Sequence, residues 1–133
     1  MDTDNIIKKS APIHEACAYN AECPTRLVLN RIADKWTVLV VILLESEVKR
    51  FSQLRREIEG ISQKMLTQTL RGLERDGLVT RKVYATVPPH VEYALTPLGH
   101  TLKDLLYAIK TWSETNIEEV LSAQKNYDKL NEK

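Results

Sequence analysis

The sequence predicts a mainly α-helical domain with a small β-hairpin: a winged helix-turn-helix whose N- and C-terminal helices form a dimer interface. Three observations predict it. Residues 52–76 hold two short amphipathic segments parted by the turn Glu59-Gly60-Ile61, as a helix-turn-helix requires. A hairpin rich in β-branched residues follows at once. A long leucine stripe then ends the apolar part of the chain and exceeds what so small a hairpin can cover.

Taken in order, residues 1–20 show no hydrophobic period and are expected to form a flexible arm. Cys23-Pro24-Thr25 opens a first helix with Pro24 at its first position, and Leu27, Val28, Ile32 and Ala33 give it an apolar side. Asp34 starts a second helix, apolar all round from Trp36 to Leu44 and so expected in the core. Lys49-Arg50-Phe51 is long enough only for a bridging strand. Ser52 is expected to cap a short helix ending near Ile58, with Leu54 and Ile58 inward. Ser62 caps the next helix, where Leu66, Leu70 and Leu73, with Met65 beside them, repeat at helical spacing and Gly77 supplies the stop. Residues 78–84 and 91–95 read as strands, with Pro88-Pro89 ending their pairing. Thr96-Pro97 is a cap followed by proline, and starts a helix carrying Leu98, Leu102, Leu105, Ile109 and Trp112 on one stripe. It is expected to reach 120–121 or beyond, with a break near Asn116. The domain therefore spans 21–123, followed by a polar tail at 124–133.

Composition bounds the function. The chain has 133 residues, 43% hydrophobic and 28% charged, and suits one globular domain. The longest apolar run, 38–44, cannot cross a bilayer, and residues 1–20 contain no apolar signal core, which predicts a cytoplasmic protein with no membrane partner. Two cysteines, Cys17 and Cys23, are too few for a disulfide scaffold and are expected to rest as thiols. The net charge of +1 hides an asymmetry. Residues 49–82 carry nine basic and four acidic side chains, a surplus of five that leaves −4 for the rest. A basic middle between acidic ends suits a polyanion-facing module, although charge alone would equally allow a solvated face. The three histidines, His14, His90 and His100, are scattered, and no nucleophile, base and acid stand together. No phosphate loop or dinucleotide motif occurs. His14, Cys17 and Cys23 match no standard zinc spacing. No enzyme, metal or cofactor is expected.

The helix at 62–76 has the chemistry of a DNA-reading element. With its leucines inward, Gln63, Lys64, Thr67, Gln68 and Arg71 face outward. Glutamine can pair with adenine in two-pronged fashion, arginine or lysine with guanine, and the threonine methyl with thymine. Ser62 and the unpaired first-turn amides can hold a phosphate. Arg50, Ser52, Arg55, Arg56, Arg81, Lys82 and His90 are expected to contact the backbone of double-stranded DNA, which orients without specifying. The alternative is a winged-helix protein–protein interaction module without DNA binding, which should present apolar or acidic residues on that face.

At these residues the sequence resembles the HxlR family of bacterial winged-helix transcriptional regulators, related in fold to the MarR-like group. The matching segments are CPTRLVLNRIADKWTVLVVILL at 23–44, RFSQLRREIEGISQKMLTQTLRGLERDGLVTRKVY at 50–84 and VPPHVEYALTPLG at 87–99. The resemblance implies a homodimeric, non-enzymatic DNA-binding repressor or activator acting on a pseudo-palindromic operator. It places Ser62, Gln63, Lys64, Thr67, Gln68 and Arg71 on the reading helix, and Arg81 and Lys82 on the wing. It also implies a sensing role for Cys23, since some members detect small-molecule electrophiles or oxidants through a cysteine just before the first helix. Separately, a cysteine at a helix N-cap has a lowered pKa, and Arg26 could add to this. A small buried packing residue is the plainer account. Cys17 could resolve an oxidised Cys23 within one chain or across a dimer. For the dimer, Leu27 and Val28 on the first helix and Leu102, Leu105, Leu106, Ile109 and Trp112 on the last are the surplus apolar residues expected to meet across a two-fold axis.

Overall fold

A computed structural model describes residues 17–132; residues 1–16 of the expected arm, His14 included, lie outside it. The elements are α1 (Thr25–Ile32), α2 (Lys35–Leu44), β1 (Lys49–Arg50), α3 (Phe51–Glu57), α4 (Gln63–Arg75), β2 (Val79–Tyr84), β3 (His90–Leu95) and α5 (Pro97–Leu130). The three strands form one antiparallel sheet in the order β1-β3-β2, with Lys49 opposite Tyr93 and Arg81 opposite Tyr93 from the other side. This is a mainly helical winged-helix fold.

The core forms where α2, α3, α4, the sheet and the first turns of α5 converge. Val40, Val41 and Leu44 of α2 meet Leu54, Leu66, Leu70, Leu73, Val79 and Leu106, with Ile58 and Ile61 beneath the turn. Burying each such aliphatic side chain stabilises the fold by about 1.5–3 kcal/mol. The one-sided spacing of α4 decides which of its faces is inside. The α2 helix, apolar all round, buries Thr37, Val40, Val41 and Leu44 fully, and Trp36, Val38, Leu39 and Leu43 pack half-buried against the same core.

The caps are local choices of sequence. The Asp34 side chain accepts the Trp36 N–H at 2.7 Å, and Ser62 accepts the Met65 N–H at 3.0 Å. At the end of α4, Gly77 takes φ +78°; its N–H donates to Glu74 O at 3.1 Å and the Leu78 N–H to Leu73 O at 2.9 Å. That double closure needs a left-handed residue, which glycine adopts without a Cβ clash.

Several expectations are corrected. Pro24 is itself the N-cap of α1 and not its first residue, so the helix starts at Thr25, one place later than expected. Arg50, not Ser52, caps α3: the Gln53 carbonyl oxygen reaches back to accept the Arg50 N–H at 2.9 Å, so Ser52 lies inside the first turn. The α5 helix does not break at Asn116, whose amide donates to Trp112 O at 2.9 Å within the helix. It continues through most of the expected tail to Leu130, about 50 Å at 1.5 Å per residue. Leu106, placed on the dimer surface from its stripe, is 0% exposed and belongs to the subunit core.

Residues 17–23 also depart from the expected arm. Cys17 and Cys23 are joined as a disulfide, Cα–Cα 5.6 Å, and not held as thiols. Two turns bring them together. The Asn20 N–H donates to Cys17 O at 2.8 Å and the Cys23 N–H to Asn20 O at 3.0 Å. Asn20 Oδ1 also accepts the Glu22 N–H at 3.0 Å, a local turn that asparagine favours. Arg26 clasps the loop from α1, donating to Ala18 O at 2.8 Å and Tyr19 O at 3.1 Å. Cys23 is buried and precedes the cap, so in this state it is no dipole-activated thiolate.

Candidate nucleic-acid interface

The helix-turn-helix is built by α3, the turn and α4. Ile58 and Ile61 are both buried and pin the two ends of the turn, while Gly60 between them takes φ +91°. That leaves α4 with one face sealed by Leu66, Thr69, Leu70 and Leu73. Gln63, Lys64, Gln68 and Arg71 are exposed on the opposite side, with Thr67 half-buried between them. The set predicted from spacing is thus together on one surface. Ser62 is exposed at its N-terminal end, where the amides of Gln63 and Lys64 precede the first helical hydrogen bonds and can receive an anion.

Around this face the structure sorts the expected basic residues. Ser52, Arg55 and Arg56 line a shallow groove with Gln63, placing α3 beside the N-terminal end of α4. Arg50 is exposed and lines a second groove beside the wing with Phe51, Val87 and His90. Lys49, counted in the basic surplus, is turned inward. Its ammonium binds Glu57 at 3.0 Å and Glu47 at 3.1 Å, and those hydrogen bonds, Glu57 first, hold its pKa above the usual value. It is not available to a phosphate.

Arg81 and Lys82 are adjacent in sequence but lie on opposite faces of the wing, as strand alternation requires. Arg81 faces α4, with Nε 3.6 Å from Glu74 Oε1. Lys82 faces away, over the Tyr84 ring at 5.1 Å and opposite Glu92. His90 is corrected: it does not stand free at the wing tip. It begins β3, stacks on Tyr84 at 4.7 Å, and its ring nitrogens lie 3.3 Å from Glu92 Oε2 and 3.3 Å from Thr86 Oγ1. The tip itself is Thr86-Val87-Pro88-Pro89, uncharged and exposed.

Three contributors were missed from sequence. Tyr93 and Glu74 line the cleft between α4 and the wing with Thr67, Arg71 and Arg81. Arg31 crosses from α1 over Gly72, where any Cβ would strike its guanidinium, and donates from Nε to Asp76 Oδ2 at 2.7 Å. Half-exposed, that ion pair contributes at most about 1 kcal/mol, so its effect is to set where α1 lies against the end of α4. Alternation within VEYAL could have signalled Tyr93; no pattern signals a pair 45 residues apart.

Among the described residues no group of three or more His, Cys, Asp or Glu is placed to hold a metal, and no helix is long and apolar enough to cross a membrane.

Comparison with known proteins places this geometry. A family model described as HxlR-like helix-turn-helix matches residues 31–121. The chain is 42% identical over 118 residues to YtfH of Escherichia coli, an uncharacterized HTH-type transcriptional regulator, covering 89% of this chain and 94% of that one. The solved structure of the ytfH regulator of Salmonella typhimurium superposes with a TM-score of 0.79 at 43% identity, covering 84% of this chain and 99% of the other. The redox regulator HypR in its oxidised form gives a TM-score of 0.65 at 44% identity, covering 71% and 97%. These relatives are transcriptional regulators and not enzymes.

Proposed function

The chain belongs to the HxlR-like helix-turn-helix family of transcriptional regulators, and from that premise we infer that it binds an operator in duplex DNA as a homodimer, with the N-terminal half of α4 in the major groove. One observation carries the reading: Gln63, Lys64, Gln68 and Arg71 are exposed on the face opposite buried Leu66, Leu70 and Leu73. The exposed positions in the first two turns, Gln63, Lys64 and Gln68, are neither apolar nor acidic, as a protein-docking version would want. Thr67 completes the reading edge and Ser62 with the first-turn amides holds a phosphate, while Arg50 from β1 and Ser52, Arg55 and Arg56 from α3 approach others. Lys82 reaches the backbone from the outer face of the wing. A dimer then selects a pseudo-palindrome with half-sites about one helical turn, or a multiple, apart.

Selection of bound duplexes from random sequences tests this. Gln68→Ala is expected to lower discrimination at one base pair by about 1–3 kcal/mol. Arg55→Ala should weaken all duplexes alike and reduce the slope of log affinity against log salt by about one. Unchanged binding in both variants would remove α4 from the groove.

Cys17 and Cys23 form the redox-responsive element in this reading. Support comes from their pairing here and from the likeness to HypR, a redox regulator. An azo oxidant such as diamide takes two electrons and two protons from the two thiols and becomes the hydrazine, leaving the disulfide. Cycling the wild type between dithiothreitol and diamide is expected to change operator affinity by about tenfold, within the range usual for coupled sites. Cys23→Ser should show no change. A variant that responds as the wild type does excludes sensing through this pair.

A further inference from the structure

We propose that the cleft between α4 and the wing is a seat for one phosphate of the DNA backbone, gripped by the Tyr93 hydroxyl and the Arg81 and Arg71 guanidinium groups. The proposal rests on the DNA-binding reading above and adds a site to it. The cleft is about 220 Å³ and is lined by Thr67, Arg71, Glu74, Arg81 and Tyr93. The ring of Tyr93 is packed in the core and the residue is only 8% exposed. Yet none of the hydrogen bonds among the described residues uses its hydroxyl. Because Tyr93 lines the cleft, that hydroxyl can donate to a group that enters it. It meets the charges of Arg81, Glu74 and Arg71, and burial above all pushes its pKa up. It therefore stays protonated and remains a donor. A neutral donor that shares a cleft with two guanidinium groups suits a phosphate, whose oxygens accept from both kinds of donor.

The position fits as well as the chemistry. One phosphodiester strand separates the major groove from the adjoining minor groove. If α4 lies in the first and the wing reaches toward the second, that strand crosses the cleft between them. In the free protein the Glu74 carboxylate stands 3.6 Å from Arg81 and neutralises it. An arriving phosphate takes over Arg81 and meets Glu74 as a like charge. Glu74 thus holds down affinity for every sequence, and it does so without touching a base.

The test uses the full chain and two labelled duplexes in fluorescence anisotropy: one recovered by selection with the wild type, one a shuffled version of it. Tyr93→Phe keeps the ring and is expected to weaken both duplexes by roughly tenfold, leaving their ratio unchanged. Glu74→Gln should tighten both several-fold. Arg81→Ala should lower the salt slope by about one, and Tyr93→Phe should cost little more in that background. Should Tyr93→Phe melt early, Glu74→Gln at an exposed position still carries the test through its gain. If Tyr93→Phe and Glu74→Gln both bind as the wild type while Gln68→Ala still loses discrimination, the seat is wrong and the DNA reading stands. If the wild type binds neither duplex, both fall together. Inorganic phosphate quenching tyrosine emission in the wild type but not in Tyr93→Phe, with DNA affinity equal in the two, would assign the cleft to a free anion and overturn the proposal.

Discussion

Gly99→Ala is expected to destabilise the protein by about 2–3 kcal/mol, the upper part of the range for overpacking a closed site. Gly99 sits in the first turn of α5, where its N–H donates to Thr96 Oγ1 at 3.0 Å. A Cβ there would run into the Leu78 carbonyl oxygen and press on the Leu95 side chain at 3.1 Å. That carbonyl cannot retreat easily. It already accepts the Thr96 N–H at 3.1 Å, and the Leu78 N–H closes the end of α4. The Thr96 hydroxyl donates to Gly77 O at 2.6 Å, tying the two helix ends together. Alanine's better helix propensity returns about 1 kcal/mol and does not offset a collision with backbone. Thermal unfolding followed by circular dichroism should show a midpoint lower by roughly 10 °C. Gly60→Ala is the comparison, since a Cβ at Gly60 meets nothing within 4 Å and only its positive φ is strained. Gly99→Ala melting at or above Gly60→Ala would contradict the packing described.

The same junction shows what could be read from sequence. Elements governed by neighbours in the chain were legible: the Ser62 and Thr96 caps, the Gly77 stop, the leucine spacing of α4 and the bridging strand at Lys49 and Arg50. The outward set on α4 followed from that spacing alone. Features set by distant partners were not. Leu106 shares a stripe with Leu105 and Ile109, but α5 is close to the core only near its start, so burial there is decided by α2 and the sheet. Lys49 is one more cation in the sequence, and only the fold brings Glu57 and Glu47 against its ammonium. His90 read as a tip residue because the strand was expected one place later; its pairing with Tyr84 and Glu92 depends on register. Gly72 carries no turn signal, and its reason is the Arg31 side chain lying across it.

Pairing Leu105→Asp with Trp112→Asp is expected to yield a folded monomer that has lost about 10²- to 10⁴-fold in operator affinity, the gain that linking two half-site contacts confers. In the single chain α1 buries no residue, and Leu27 is 72% exposed and Val28 58%. On α5, Leu105, Ile109 and Trp112 are 51%, 43% and 64% exposed, and the distal turns add Ile117, Leu121 and Tyr127. Leu102 is half-buried against the core and edges the same surface. So long an apolar face calls for a partner, and in the homodimer proposed above a second copy with the same face would cover it through a two-fold axis. The two aspartates are expected to act only there, because the inward contacts of α5 are made by Gly99, Leu102 and Leu106, which they leave in place. Light scattering should report half the wild-type mass with an unchanged melting profile at equal helix content. Leu106→Asp separates the two roles: it should unfold the subunit instead, by placing a charge in the core without a partner. If the double variant stays dimeric, the two-fold axis lies elsewhere. If it is monomeric yet binds the selected duplex as tightly as the wild type, one helix-turn-helix suffices and the operator need not be a palindrome.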